Sequence, residues 1–295
     1  MVARPDILCI GSVLWDVIGR TPRRMGLGHD VPGRIERLPG GVALNIASAC
    51  LREGMRPALL SVLGRDAEGR ALADACAALG LMTDFITWSD HLPTDQYMAI
   101  EAENGLVAAV ADAHSLEEAG DLILQPLMDG SLSDENSPWR GLVAIDGNLS
   151  EALLTEIAAS PLFAETDLRL APASPGKAAR LASLLSHPRA TYYLNRIEAG
   201  LLCGTEFADA PSAAQAVLDR GARRVLVTDG AAAMAEATAE GGLHTLRPPP
   251  VSVCRVTGAG DTFMASHIAA EARGLGGAAA CEEALSATAL YVSTA

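Results

Sequence analysis

Residues 256–263 read Val256-Thr257-Gly258-Ala259-Gly260-Asp261-Thr262-Phe263 and run into an Ala-rich stretch with helical character to about residue 273. Glycines at the mouth of a helix leave its first backbone N–H groups bare and let an anion approach them. The helix dipole favours a negative group there by about 0.3–1 kcal/mol. Asp261 is the odd member, because a carboxylate repels a bound phosphate unless it has a proton to collect. An anion cradle with a base beside it suits phosphoryl transfer to a hydroxyl group. Taken alone, the stretch reads equally well as an Asp in the first turn of a helix after a flexible loop.

Upstream of this unit, short apolar runs alternate with helical ones. Residues 7–13, 57–63, 84–88, 141–145, 168–170, 191–194 and 223–228 read as strands, and 42–53, 69–79, 151–159, 176–185 and 261–273 as helices. The alternation predicts an α/β fold whose mostly parallel central sheet is covered on both faces. Two segments break the rhythm. Residues 20–38 are polar and rich in Gly and Pro, and residues 94–111 predict a hairpin about Asn104-Gly105. Together they predict a flap standing off the main sheet, against the plainer reading of two surface excursions.

Composition narrows the function classes. With 295 residues, 49% of them hydrophobic and 20% charged, the chain has ample material for one core and is not a disordered polymer. A net charge of -14 excludes a surface that coats nucleic acid, yet a few aimed amides can still bind one phosphate. The six cysteines form no CxxC pair, which predicts free thiols in a reducing cytoplasm. No leader opens the chain, and no apolar run has the roughly 18 residues of a membrane span. The six histidines show no metal-ligand spacing and read as surface or flap positions.

Three further constellations accompany the glycine turn. Gly40-Gly41 precede a helix in which Asn45 lies one turn in, facing the same mouth. Gly11-Ser12-Val13-Leu14-Trp15-Asp16 ends the first strand, so that Asp16 falls where α/β sheets collect ligands. Asn195-Arg196-Ile197-Glu198 follows a strand; Asn195 and Glu198 face one way and could hold a hydrated Mg²⁺. An N-cap with its N3 acid explains the same two residues.

In this order the pieces resemble the ribokinase-like (PfkB) family of carbohydrate and nucleoside kinases over nearly the whole chain. The resemblance implies a ribokinase-like βαβ sandwich, one domain over 1–295, with a small β lid from about 17–38 and 92–113. It implies transfer of the γ-phosphate of ATP, with Mg²⁺, to a hydroxymethyl group of a sugar or nucleoside. Asp261 would be the base, with Gly258, Ala259 and Gly260 as the anion hole. Asp16, Gly40, Gly41 and Asn45 would hold the acceptor, and Asn195 and Glu198 would order Mg²⁺ and phosphates. Thr228, Gly230, Thr257 and the stretch around 284–289 would lie beside the nucleotide. Lids in this family often pair, which implies a homodimer.

Within the family, residues 32–47, Asp146-Gly147-Asn148-Leu149-Ser150 and 195–199 are most similar to pseudouridine kinases, as are Pro172, Ser174 and Lys177. That adds Asn148, Lys177 and Asp112 as candidate acceptor contacts and implies pseudouridine as the substrate. Other sugar or nucleoside kinases, and a binding protein without catalysis, are the alternatives. Two departures stand out. Arg255-Val256 replaces the family's Asp-Thr, and a guanidinium cannot ligate K⁺, which speaks against a monovalent-cation site. The chain also stops at Ala295, inside an apolar stretch where relatives continue with another helix.

Overall fold

The computed structural model describes residues 4–134 and 136–294; the chain end at Ala295 lies outside the described residues. Its strands are β1 (Ile7–Ile10), β2 (Leu14–Arg20), β3 (Arg34–Gly40), β4 (Pro57–Leu60), β5 (Val62–Gly64), β6 (Thr87–Ser89) and β7 (Gln96–Ala102). They continue as β8 (Gly105–Asp112), β9 (Leu142–Asp146), β10 (Asp167–Ala171), β11 (Ala190–Asn195), β12 (Arg224–Thr228), β13 (Met234–Thr238) and β14 (Leu243–Leu246). The α-helices are α1 (Val42–Arg52), α2 (Ala67–Ala78), α3 (His114–Ala119), α4 (Glu151–Ala159), α5 (Arg196–Cys203), α6 (Ala210–Asp219), α7 (Ala259–Ala272) and α8 (Ala278–Ser293).

Eight strands form the central sheet in the order β14-β13-β12-β11-β10-β9-β1-β4. From β4 to β12 every pairing is parallel, and β13 and β14 add an antiparallel edge. Successive side chains of a strand point to opposite faces, so each strand feeds two cores. Leu8 and Ile10 of β1 join one cluster under α4, α5 and α6, while Ile7 and Cys9 join the other under α1, α7 and α8. A second sheet, β3-β2-β7-β8, stands apart, with β2 parallel to β7 and antiparallel to β3.

Several expected elements change shape. The run 7–13 is not one strand: β1 ends at Ile10, only a residue without a Cβ fits against the Asp146 carboxylate at Gly11, and the chain turns into β2 of the small sheet. The run 57–63 divides likewise into β4 and β5, the latter pairing with β6. Residues 176–185 wind as 3₁₀ turns (Pro175–Leu184) rather than an α-helix. Pro248-Pro249-Pro250 leads into irregular chain ahead of the glycine turn. Nor are all histidines on the surface: His187 and His267 are buried at 5% and 0% exposure. Among the described residues no helix is long and apolar enough to cross a membrane.

Candidate active site

The carboxyl ends of β1 and β9 lie side by side, and Asp146 at the end of β9 knots them to α1. Its Oδ2 accepts from the Ser12 amide at 2.8 Å, the Ser12 hydroxyl at 2.9 Å and the Ala43 amide at 3.0 Å. Its Oδ1 accepts from the Asn148 amide at 2.7 Å. Burial pushes the carboxyl pKa up against the pull of these bonds. Ser12 Oγ in turn accepts from the Val42 amide and from Asn148 Nδ2, both at 2.8 Å, and Lys177 Nζ donates to Asn148 Oδ1 at 2.5 Å. Sequence reading missed Ser12 and Asp146 as members of the site. The available signal was an acid ending an apolar strand, one residue before a Gly-Asn pair.

This knot aims the mouth of α1. Gly41 caps the helix with φ 101°, and a Cβ there would strike the Ser12 carbonyl. Gly40 is held just as closely, since a Cβ there would strike the Asp16 carboxylate. Asp16 is therefore not free beyond a strand end; it sits on β2 in the small sheet, half-buried, with its carboxyl pushed up to about 6 by burial. Tyr97 stands across from it on β7, and the phenol pKa rises through burial and then through the Asp16 charge.

Asp261 opens α7 behind Gly258, which adopts the left-handed conformation at φ 82°. Its carboxyl is pushed up to about 7, first by burial and then by the charges of Asp146 and Glu198, while the Asn45 side chain pulls it down. Asn45, Asp146 and Glu198, carried by α1, β9 and α5, thus act on Asp261 of α7. The Ala259 amide turns back onto the Val256 carbonyl at 3.1 Å, and the first helical bond runs from Thr262 to Gly258. That leaves the amides of Gly260 and Asp261, rather than that of Ala259, as the first-turn donors aimed at a ligand.

Asn195 and Glu198 form a full capping box. Asn195 Oδ1 accepts from the Glu198 amide at 2.9 Å, and Glu198 Oε2 accepts from the Asn195 amide at 2.8 Å. Burial raises the Glu198 pKa. One carboxylate oxygen of Glu198 remains as a hard acceptor that fits the water shell of Mg²⁺, while the Asn195 NH₂ can only donate, as to a phosphate oxygen. Asp146, with four donors on it, does not fit that shell. Thr228 ends β12 with its hydroxyl 3.5 Å from the Leu194 carbonyl, and Gly230 turns beyond it at φ 56°. Between them Asp229 pairs with Arg196 at 3.0 Å. Thr257 is exposed and gives its carbonyl to Tyr291. Asp112 is not brought into the group; it is exposed at the end of β8, bonded to His114 Nδ1 at 2.8 Å, in the strand row of Gln96 rather than of Tyr97.

Beneath α7 lies a buried polar network that ties the helix to the sheet. Arg169 donates to Tyr193, Asp167 and Glu271, and the Tyr193 hydroxyl meets His267 Nδ1 at 2.9 Å. Burial holds the His267 pKa down to about 4, so the ring is neutral. Glu236, His267 and Cys281 come within 4.8 Å of one another, as metal ligands do. Arg224 already donates to Glu236 at 2.5 Å and supplies the cation that this cluster needs.

The profile of the pfkB family carbohydrate kinases matches residues 4–295. The pseudouridine kinase of Escherichia coli K12 is 25% identical over 274 residues, 88% of this chain and 81% of that one. The bifunctional protein HldE of Gluconacetobacter diazotrophicus is 27% identical over 290 residues, 91% of this chain and 56% of its own. The ribokinase of Arabidopsis thaliana, solved with ribose and ATP, superposes with a TM-score of 0.79 at 20% identity, covering 99% of this chain and 94% of that one.

Proposed function

The chain belongs to the pfkB family of carbohydrate kinases, phosphotransferases that act on hydroxyl groups of sugars or nucleosides, and we propose that its acceptor is the 5′-hydroxyl of pseudouridine, with ATP as donor. The observation that carries the chemistry is the Asp261 carboxyl, set near neutrality beside two bare amides at the mouth of α7. Asp261 takes the hydroxyl proton as the oxygen attacks in line, an action worth about 10²–10⁴ in rate. The Gly260 and Asp261 amides, presented by the Gly258–Asp261 turn, steady the charge on the transferring phosphoryl group.

Asp16, Gly40, Gly41 and Asn45 line the face that receives the acceptor, with Asn148 and Lys177 at the far side of the knot. Asn45 lowers the pKa of Asp261 from the adjoining helix mouth. Thr228 and Gly230 flank the nucleotide. Bound Mg²⁺ supplies charge neutralisation at the phosphates; Glu198 is the residue that would hold it through water, and Asn195 would donate to a phosphate oxygen. The small sheet acts as a lid over 17–38 and 92–113, excluding water as a competing acceptor. Its outward side chains, among them Ile35 and Val110, are exposed and suit a lid-to-lid homodimer. Free cysteines accord with a cytoplasmic protein.

The choice of pseudouridine rests on the Escherichia coli relative and on the likeness of the stretches around Asn45, Asn148 and Asn195. A sugar acceptor is the second reading, favoured by the match to HldE and by the ribose-bound structural neighbour. Turnover of ATP over a panel of pseudouridine, uridine, adenosine, ribose and fructose separates them. Preference for pseudouridine over uridine is the expected result. A higher kcat/KM for ribose or fructose would replace this reading by the second.

A further inference from the structure

We propose that Arg255 and Tyr291 form a clamp that sets the shape of the anion turn, with the Arg255 guanidinium acting as a tethered cation at the end of α8. The proposal rests on the kinase reading and names residues that act through the turn, not on the substrate.

Tyr291 lies in the last turn of α8, and its hydroxyl donates to the Thr257 carbonyl at 3.0 Å. The same hydroxyl abuts Gly258, where a Cβ would collide with it. Two consecutive residues at the start of the anion turn are therefore held by one phenol. The phenol is itself held. The Arg255 guanidinium lies 3.8 Å over the ring, its Nε donates to the Tyr291 carbonyl at 3.0 Å, and another nitrogen reaches Thr294 Oγ1 at 3.4 Å. Arg52, at the end of α1, approaches the same ring at 5.8 Å. The amides of Cys254 and Arg255 complete the tie by donating to the Val292 carbonyl at 2.7 and 3.2 Å.

The last carbonyls of a helix lack intrahelical donors and carry the negative end of its dipole. A cation is favoured where the turn meets the end of α8, and the Arg255 guanidinium is one that is covalently part of the turn. Being attached, it is present at any salt composition. Its planar fork donates along a fixed direction while its face stacks on the ring, which a lysine ammonium cannot do. Displacing a reacting group by about an ångström costs up to roughly 10²-fold in rate, so loosening this clamp reads out in kcat.

The test compares wild type, Arg255→Ala, Arg255→Lys and Tyr291→Phe with ATP and the best acceptor of the panel. Wild type is expected to turn over equally in K⁺, Na⁺ and buffers free of both. Arg255→Ala is expected to lose tenfold or more in kcat with the acceptor KM unchanged, and free guanidinium ion to restore part of it. Arg255→Lys and Tyr291→Phe fall between. A kcat within twofold of wild type in Arg255→Ala would overturn the proposal. So would a K⁺ requirement in wild type, or a loss that tracks melting temperature and resists guanidinium. If wild type transfers phosphate to no acceptor, the kinase reading fails on its own. Titration then still decides the clamp: a preference for a non-hydrolysable ATP analogue over ADP should disappear in Tyr291→Phe, and its survival there counts against the clamp.

Discussion

The Asn45 side chain, one turn into α1, draws down the pKa of the Asp261 carboxyl at the mouth of α7. The effect links two helices that start at opposite ends of the sequence, and it opposes the burial that pushes Asp261 up to about 7. A base needs a pKa near the working pH, high enough to want the proton and low enough to be ionised. Asn45 adjusts that balance without carrying charge.

The pH profile follows. Asp261 works as the carboxylate, so kcat/KM should rise with pH through about 7 and level off above it. Asn45→Ala removes the side chain that lowers the pKa, and its profile should climb at a higher pH than that of wild type. Initial rates between pH 5 and 9 with saturating ATP measure both. Coincident profiles would break the link between the two residues.

Asp261→Asn should separate activity from stability. Turnover should fall by about 10²–10⁴. The folded-state pKa of Asp261 lies above its ordinary 3.8, so ionisation costs stability as pH rises from about 3.8 to about 7, and the full cost stands above that window. The variant should therefore melt higher than wild type at pH 8 and close to it at pH 4. Thermal unfolding at the two pH values reads the difference. A variant that turns over normally, or melts lower at pH 8, would contradict the role given to this carboxyl.

Asp261, Asn45 and the glycines beside them were legible because each lies within a turn of a helix mouth, where local sequence already states which amides are bare. The knot at Asp146 was not. Ser12 and Asp146 are 134 residues apart, and only the parallel register of β1 against β9 brings them together. The expected strand 7–13 ends beside the same contact, where only a glycine fits against the carboxylate. His267 was hidden for another reason. Residues 262–270 of α7 are buried all round, so the helix has no polar face against which an inward histidine would stand out. The alternation of the central strands, by contrast, foretold the parallel sheet, while β13 and β14, short and interrupted by Glu236, Thr238, His244 and Thr245, offered no apolar run to find.

Asp146→Asn should weaken the fold. The carboxylate receives four donors, whereas an amide offers one acceptor oxygen and points an NH₂ at backbone amides. The cost should be about 2–4 kcal/mol, measured as a lower midpoint of urea unfolding at unchanged slope. Removing the charge should also lower the Asp261 pKa, since Asp146 helps to raise it. An unchanged midpoint would leave the knot without energetic weight.

Glu198→Gln distinguishes a cap from a ligand. Glutamine can still accept from the Asn195 amide, so the capping box survives and melting should shift by little. What it loses is charge. If Glu198 only caps α5, the Mg²⁺ concentration for half-maximal turnover should stay where it is in wild type. If its free oxygen orders hydrated Mg²⁺, that concentration should rise about tenfold or more, since a misplaced or neutralised outer partner of a metal typically costs 10–100-fold in affinity. A second readout is independent of the metal. Glu198 is among the charges that raise Asp261, so the acid limb of the pH profile should move below about 7 in the variant. We expect both shifts; a moved pH limb with an unmoved Mg²⁺ dependence would keep Glu198 in the site and remove it from the metal.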